Sequence, residues 1–116
     1  MNVKTYAKEI NNNIMGINIE GEIDVYTSPK VKEALNDLIQ KGNNNIIVNL
    51  EGVSYIDSTG LGVLIGALKR VKENNGDIKL VCTNLQIKKI FDITGLVKIF
   101  ELYDSEELAL MPERKI

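Results

Sequence analysis

The sequence predicts an α/β sandwich, a mixed central sheet of about five strands with about four helices. Segments of strand character alternate with segments of helical apolar periodicity, in the order strand, strand, helix, strand, helix, strand, helix, strand, helix. Two of the strand segments, Ile46-Ile47-Val48-Asn49-Leu50 and the run from Ile78 to Cys82, are almost continuously apolar, the pattern of strands covered on both faces. Crossovers between such strands are expected to be right-handed. The 116 residues amount to one domain, able to bury about two-thirds of its unfolded surface in a single core. That domain is expected over residues 1–112, with a frayed tail over 113–116.

Residues 3–10 and 14–20 each read as a strand, and Asn11-Asn12-Asn13 between them is turn chemistry, because Asn tolerates left-handed backbone. A hairpin is the expected result. In its second strand Ile17 and Ile19 alternate with Gly16, Asn18 and Glu20, so one face is buried. Gly21 permits a bend before Glu22-Ile23-Asp24-Val25-Tyr26, where strand spacing displays Glu22 and Asp24 on one side, as solvated acids, and turns Ile23 and Val25 to the other. Ser28 is the expected cap of the first helix, with Pro29 suited to its first position. Val31, Ala34, Leu35, Leu38 and Ile39 make the core stripe, and Lys41-Gly42 the stop. Ile46 to Leu50 is expected to be a central strand.

A polar corner, Asp57-Ser58-Thr59, then opens the longest helix. Leu61, Leu64, Ile65, Leu68 and Val71 fall on one core-facing stripe. At about 100° of rotation per residue, Thr59, Gly62, Val63, Gly66 and Arg70 gather on the outward face, where charged residues would be the default. A glycine inside a helix costs roughly 1 kcal/mol relative to Ala, so Gly62 and Gly66 need a reason. Close approach of another molecule is one, and packing beneath a neighbouring element of the same fold is the other. Asn74-Asn75-Gly76 closes the helix before the strand at 78–82, and Asn84 caps a short helix holding Leu85, Ile90 and Phe91 that ends near Thr94-Gly95. Residues 97–103 supply the last strand. Asp104 and Glu107 have capping-box spacing before a helix with Leu108 and Leu110 on its apolar face and Pro112 as its stop.

Composition narrows the function. The formal net charge is -2 with no basic run, so the footprint of a nucleic-acid binder is missing. There is no histidine and one cysteine, Cys82, which excludes histidine-based triads and zinc coordination and leaves the thiol as a small buried hydrophobe. No stretch has a signal core or the length of a membrane span, so no membrane partner and a soluble, cytoplasmic protein are expected. Gly60-x-Gly62-x-x-x-Gly66 superficially matches a dinucleotide glycine pattern, yet the next strand ends in Val81-Cys82-Thr83-Asn84 without the acid that holds a ribose. A phosphate-loop lysine motif is absent, and Ser58 has neither the Gly-x-Ser-x-Gly context of an esterase nor a base. No enzyme activity, cofactor or metal is expected. Ser58 is left with two readings, a helix cap or a substrate for modification.

Asp57-Ser58-Thr59-Gly60-Leu61-Gly62, preceded by Gly21-Glu22-Ile23-Asp24-Val25-Tyr26 and followed by Phe91-Asp92-Ile93-Thr94-Gly95-Leu96, resembles the bacterial anti-sigma factor antagonists, single-domain STAS proteins. The resemblance covers nearly the whole chain, with three motifs in order, and is closest to the antagonists acting on the general-stress sigma factor B. It implies partner switching. The unphosphorylated form captures an anti-sigma factor that is also a serine kinase and so frees the sigma factor. That kinase, with ATP and magnesium, phosphorylates the family serine, here Ser58, and a PP2C-type phosphatase restores it. By the same resemblance Asp24, Asp57, Ser58, Thr59, Gly60, Gly62 and Gly95 meet the partner, with Gly95 at a turn near the same end of the fold. A STAS subunit built into a larger stress-signalling assembly is the alternative.

Overall fold

The computed structural model describes residues 2–111, so the expected stop at Pro112 and the tail at 113–116 lie outside the described residues. β1 (Val3–Asn11) and β2 (Ile14–Ile23) form the antiparallel hairpin, and the Asn13 amide donates to Asn11 Oδ1 at 2.8 Å in its turn. β3 (Asn45–Ile56), β4 (Asp77–Val81) and β5 (Glu101–Tyr103) then add in parallel, giving one sheet in the order β1-β2-β3-β4-β5. The helices are α1 (Ser28–Gln40), α2 (Ser58–Lys72), α3 (Leu85–Ile93) and α4 (Glu106–Leu110), with a 3-10 turn at Leu96–Lys98.

Strands laid down in sequential order by crossovers of one hand carry their helices on one face. The alternation of side chains shows which face. Ile46, Val48, Leu50, Ile78 and Leu80 belong to the large core with residues of α1, α2 and α3, whereas Ile47 and Val81 point the other way and are covered by Ala109 of α4. β3 is central, as its apolar run predicts. α1 ends as expected, with the amides of Gly42 and Asn43 returning to the carbonyls of Ile39 and Leu38.

Several expected boundaries move. β2 does not bend away at Gly21 but continues to Ile23, with Gly21 at φ 109° marking a break in its register with β3. Extended backbone then ends, so Asp24 and Val25 do not alternate as strand residues: Asp24 is buried and Val25 is exposed. α1 has Thr27 at its cap position, and Ser28 lies inside the helix without capping it. The strand expected at 97–103 keeps only Glu101–Tyr103, because residues 96–98 wind into the 3-10 turn and leave Val97 and Ile99 about half exposed. Ser105, not Asp104, caps α4, accepting from the Leu108 amide at 3.1 Å, and it is Ala109 that α4 buries while Leu108 and Leu110 stay exposed.

The glycines of α2 separate sharply. A Cβ on Gly60 would stand 2.6 Å from Ile23 Cγ2 and 2.8 Å from Ile56 Cγ1, both on stiff, buried, β-branched side chains. A Cβ on Gly62 or Gly66 would meet nothing within 4 Å. Internal packing therefore explains Gly60 and does not explain the other two. Substitutions in one helix are accordingly expected to have opposite signs: in urea denaturation Gly60→Ala lowers stability by about 1–3 kcal/mol through overpacking, and Gly62→Ala raises it by about 1 kcal/mol through helix propensity.

Candidate functional site: the Ser58 corner

β3 delivers the chain to the carboxyl-terminal edge of the sheet, and Asp57, in extended conformation, turns it into α2. Its Oδ1 accepts from the amides of Thr59 at 2.9 Å and Gly60 at 3.3 Å and from the Thr59 hydroxyl, which satisfies two of the free N–H groups of the first turn. The Thr59 hydroxyl first of all, with the amides of Gly60 and Thr59, holds the Asp57 carboxyl below its ordinary value against an opposing desolvation. Asp57 is thus ionised at neutral pH. A depressed carboxylate contributes stability above its unfolded value and loses it as pH falls through the folded one, so the cap is an acid-sensitive element.

With Asp57 as the cap, Ser58 does not cap. It is the first helical residue, exposed, and its hydroxyl has no hydrogen-bond partner among the described residues. Thr59 is also exposed, but its hydroxyl donates to Asp57. The corner therefore offers one uncommitted alcohol at the positive end of a helix of 15 residues.

The neighbouring loop is built around Asp24, which is only 6% exposed and so is not the solvated acid that strand spacing suggests. Its Oδ1 accepts from the amides of Tyr26 at 2.9 Å and Thr27 at 3.0 Å, while its own amide donates to the Thr27 hydroxyl at 2.9 Å and that hydroxyl donates to the Glu22 carbonyl at 2.6 Å. An aspartate binding amides two and three residues on makes a tight turn. The Asp-x-x-Thr spacing was the available signal for it. The second carboxylate oxygen, Oδ2, is buried without a partner among the described residues. Turning the chain here throws Val25 and Tyr26 outward, at 56% and 86% exposure. From the sequence, strand spacing turned Val25 to the side of Ile23, and Tyr26 stood only as part of a motif.

The two loops are tied together, since the Asp57 amide donates to the Ile23 carbonyl at 3.1 Å, one residue before Asp24. The fold thus gathers Asp24, Asp57, Ser58, Thr59 and Gly60 at one edge, with Gly60 itself buried beneath the corner. Gly62 is one turn further along the outward face of α2. There a cleft of about 420 Å³ opens between α1 and α2, with Lys32, Leu35 and Asn36 on one wall and Val63 and Arg70 on the other, and Thr59, Gly62 and Gly66 along it. Arg70 donates to Asn36 across the cleft.

Gly95 is not brought to this edge. α3 starts beyond the carboxyl end of β4 and runs back alongside the sheet to feed β5, which is parallel to β4, so Gly95, at φ 77° after its last turn, sits at the opposite end. Lys98 and Ile99, just after it, lie against Lys69 and Lys72 near the end of α2, which confirms the placement. Cys82 is buried, and burial pushes its thiol up. Among the described residues no three His, Cys, Asp or Glu side chains are grouped to hold a metal, and no helix is long and apolar enough to cross a membrane.

Comparison with known proteins bears on the fold and the family. The STAS domain family model matches residues 5–109. The chain is 41% identical over 107 residues to the anti-sigma-B factor antagonist of Bacillus subtilis, covering 92% of this chain and 96% of that one. It is 39% identical over 92 residues to the anti-sigma-B factor antagonist of Staphylococcus aureus, covering 79% and 85%. In fold it is similar to an anti-sigma factor antagonist from Mycobacterium paratuberculosis, with a TM-score of 0.85 at 23% identity, covering 94% of this chain and 92% of the other. A matching family model over almost the whole chain, the five-stranded mixed sheet and relatives of this identity together mean that the chain belongs to the STAS domain family, with anti-sigma-B factor antagonists among its relatives.

Proposed function

We propose that the protein is an anti-sigma factor antagonist that works by partner switching and catalyses nothing itself. In the unphosphorylated form it captures an anti-sigma factor that is also a serine kinase, releasing a sigma factor of the general-stress class to transcribe. The kinase, using ATP and magnesium, phosphorylates Ser58 and so ends the capture, and a PP2C-type phosphatase resets the alcohol. All three act in the cytoplasm. One observation carries this reading: Asp57 takes the cap, leaving the Ser58 hydroxyl exposed and uncommitted. The neighbouring hydroxyl of Thr59 is held by Asp57, which favours Ser58 as the acceptor.

A phosphate adds about -1.5 to -2 charges at pH 7. At the first position of α2 the helix dipole favours it, and since Ser58 bears no part of the cap its esterification leaves the fold standing. The effect then falls on the interface. Ser58 stands beside the ionised Asp57, so the new charge deepens an acidic corner and adds bulk where a partner must approach. A loss of about 3 kcal/mol weakens binding more than a hundredfold, enough to redirect the partner. Exposed Tyr26 and Val25 flank the corner, and aromatic residues of that kind are frequent anchors of interfaces. The open space above Gly62 and Gly66 extends the same face, where glycines that cost helix stability gain a reason if another surface comes close.

Calorimetry with the anti-sigma factor is expected to show Ser58→Asp binding at least about a hundredfold more weakly, and Ser58→Ala binding like the unmodified protein but indifferent to kinase and ATP. Undiminished binding by the aspartate variant together with undiminished binding by the phosphorylated protein overturns the reading. Mass spectrometry after incubation with the kinase is expected to find phosphate on Ser58 and none on Thr59. Gly66→Leu is expected to melt no lower than the parent, since the added side chain meets open space, yet to bind the partner at least about tenfold more weakly, a difference of roughly 1.4 kcal/mol.

A further inference from the structure

The far end of α2 carries a second surface that partner switching at Ser58 does not use. Ile65 and Leu68 of α2 and Ile99 beyond the 3-10 turn line a groove of about 750 Å³, edged by Lys69, Lys72 and Lys98. Ile99 is 49% exposed and Ile65 is only partly buried, so apolar side chains meet solvent where a single domain would ordinarily show charge. The groove's edge holds one acid, Glu73, and Lys72 is partnered by Asp77 at 3.2 Å. With Asp77 counted, three lysines meet two acids here, and Lys69 and Lys98 are the two whose charge is left unpaired among the described residues, in a chain whose formal net charge is -2.

We propose that this groove is a docking site for an amphipathic, acidic helix of a partner protein, with leucine-like side chains in the groove and carboxylates facing the lysines. Concave apolar lining between a helix and a turn suits the ridge of an incoming helix. Along α2 the groove runs from Ile65 to Lys72, about 10 to 21 Å from Ser58 at about 1.5 Å of rise per residue. A partner held here leaves the Ser58 corner open, so two proteins can be bound at once. The site does not depend on the proposal made for Ser58.

The test titrates the isotope-labelled full chain with a synthetic helix of about 18 residues, leucine on one face and glutamate on the other, and follows amide and methyl signals by NMR. Saturable shifts confined to Ile65, Leu68, Lys69, Lys98 and Ile99 are expected, with Ile99→Glu weakening the peptide at least tenfold and a peptide bearing lysine in place of glutamate failing to bind. Ile99→Glu adds a charge at a half-exposed position and is expected to keep the parent melting temperature; if it does not, Lys98→Glu with Lys69→Glu provides the same reversal of charge. Absence of saturable shifts in the groove, equal binding of the lysine peptide, or shifts at Ser58 instead overturns the proposal. So do self-association in sedimentation velocity that Ile99→Glu removes, which assigns the groove to a second copy, and equal shifts on adding phosphatidylglycerol vesicles, which assigns it to a membrane.

Discussion

The contact on which the rest depends is the seam where the first turn of α2 lies on the ends of β2 and β3. Gly60 meets the side chains of Ile23 and Ile56 so closely that a methyl group has no room, and the Asp57 amide binds the Ile23 carbonyl across the same seam. This fixes the angle at which the chain leaves β3. With that angle set, Asp57 faces back over the open amides of the helix and caps them, and the next residue is carried outward. Ser58 is exposed because Asp57 and Gly60 are held in place. The seam also brings the turn at Asp24 alongside, although that turn is organised by its own carboxylate and the Thr27 hydroxyl.

What the sequence shows clearly is what repeats. Of the stripe Leu61, Leu64, Ile65, Leu68 and Val71, all but Ile65 are buried as the spacing requires, Ile65 being only partly so, and the run through Ile46, Ile47 and Val48 is buried too. Turn chemistry at Asn11 to Asn13, at Gly42 and at Asn84 is equally plain, because each residue acts on backbone within three positions. A period of two does not say where extended backbone stops, so Asp24 and Val25 were assigned faces of a strand that ends at Ile23. A three-residue strand such as Glu101–Tyr103 is too short to have a period at all. Gly95 shows a different limit. Its motif is local and legible, but the end of the sheet it occupies depends on the direction of α3, which only the assembled fold reveals.

The glycines of α2 show how stability and use part company. Gly60 is required by the fold, whereas Gly62 and Gly66 have open space above them and weaken the helix for no internal benefit. Natural chains sit just above a stability threshold and tolerate such costs, with the recurrent loss on removing them falling where function needs the weaker residue. That Gly62 and Gly66 lie on the face continuous with Thr59, along the cleft beside α1, places the cost next to the exposed alcohol. Spacing alone left an external surface and internal packing as equal explanations. The open space removes the second.

Charge along α2 is divided in a way that helix physics only partly accounts for. Asp57 at the start and Lys69, Arg70 and Lys72 in the last turn all complement the dipole, so those residues stabilise the helix whatever else they do. Lys98 and Ile99 belong to another segment and owe nothing to that dipole, yet they converge on the same end. The groove begins at Ile65, about 10 Å along the helix from Ser58, and ends about 21 Å away, against a screening length of about 8 Å at physiological ionic strength. A phosphate on Ser58 is therefore weakened by screening at the near edge of the groove and almost unfelt at Lys72. On the switch proposed for Ser58, esterification would dismiss a partner from the corner while acting only weakly on one held at the groove, because screening attenuates the charge along α2 and the helix between them has no reason to change shape.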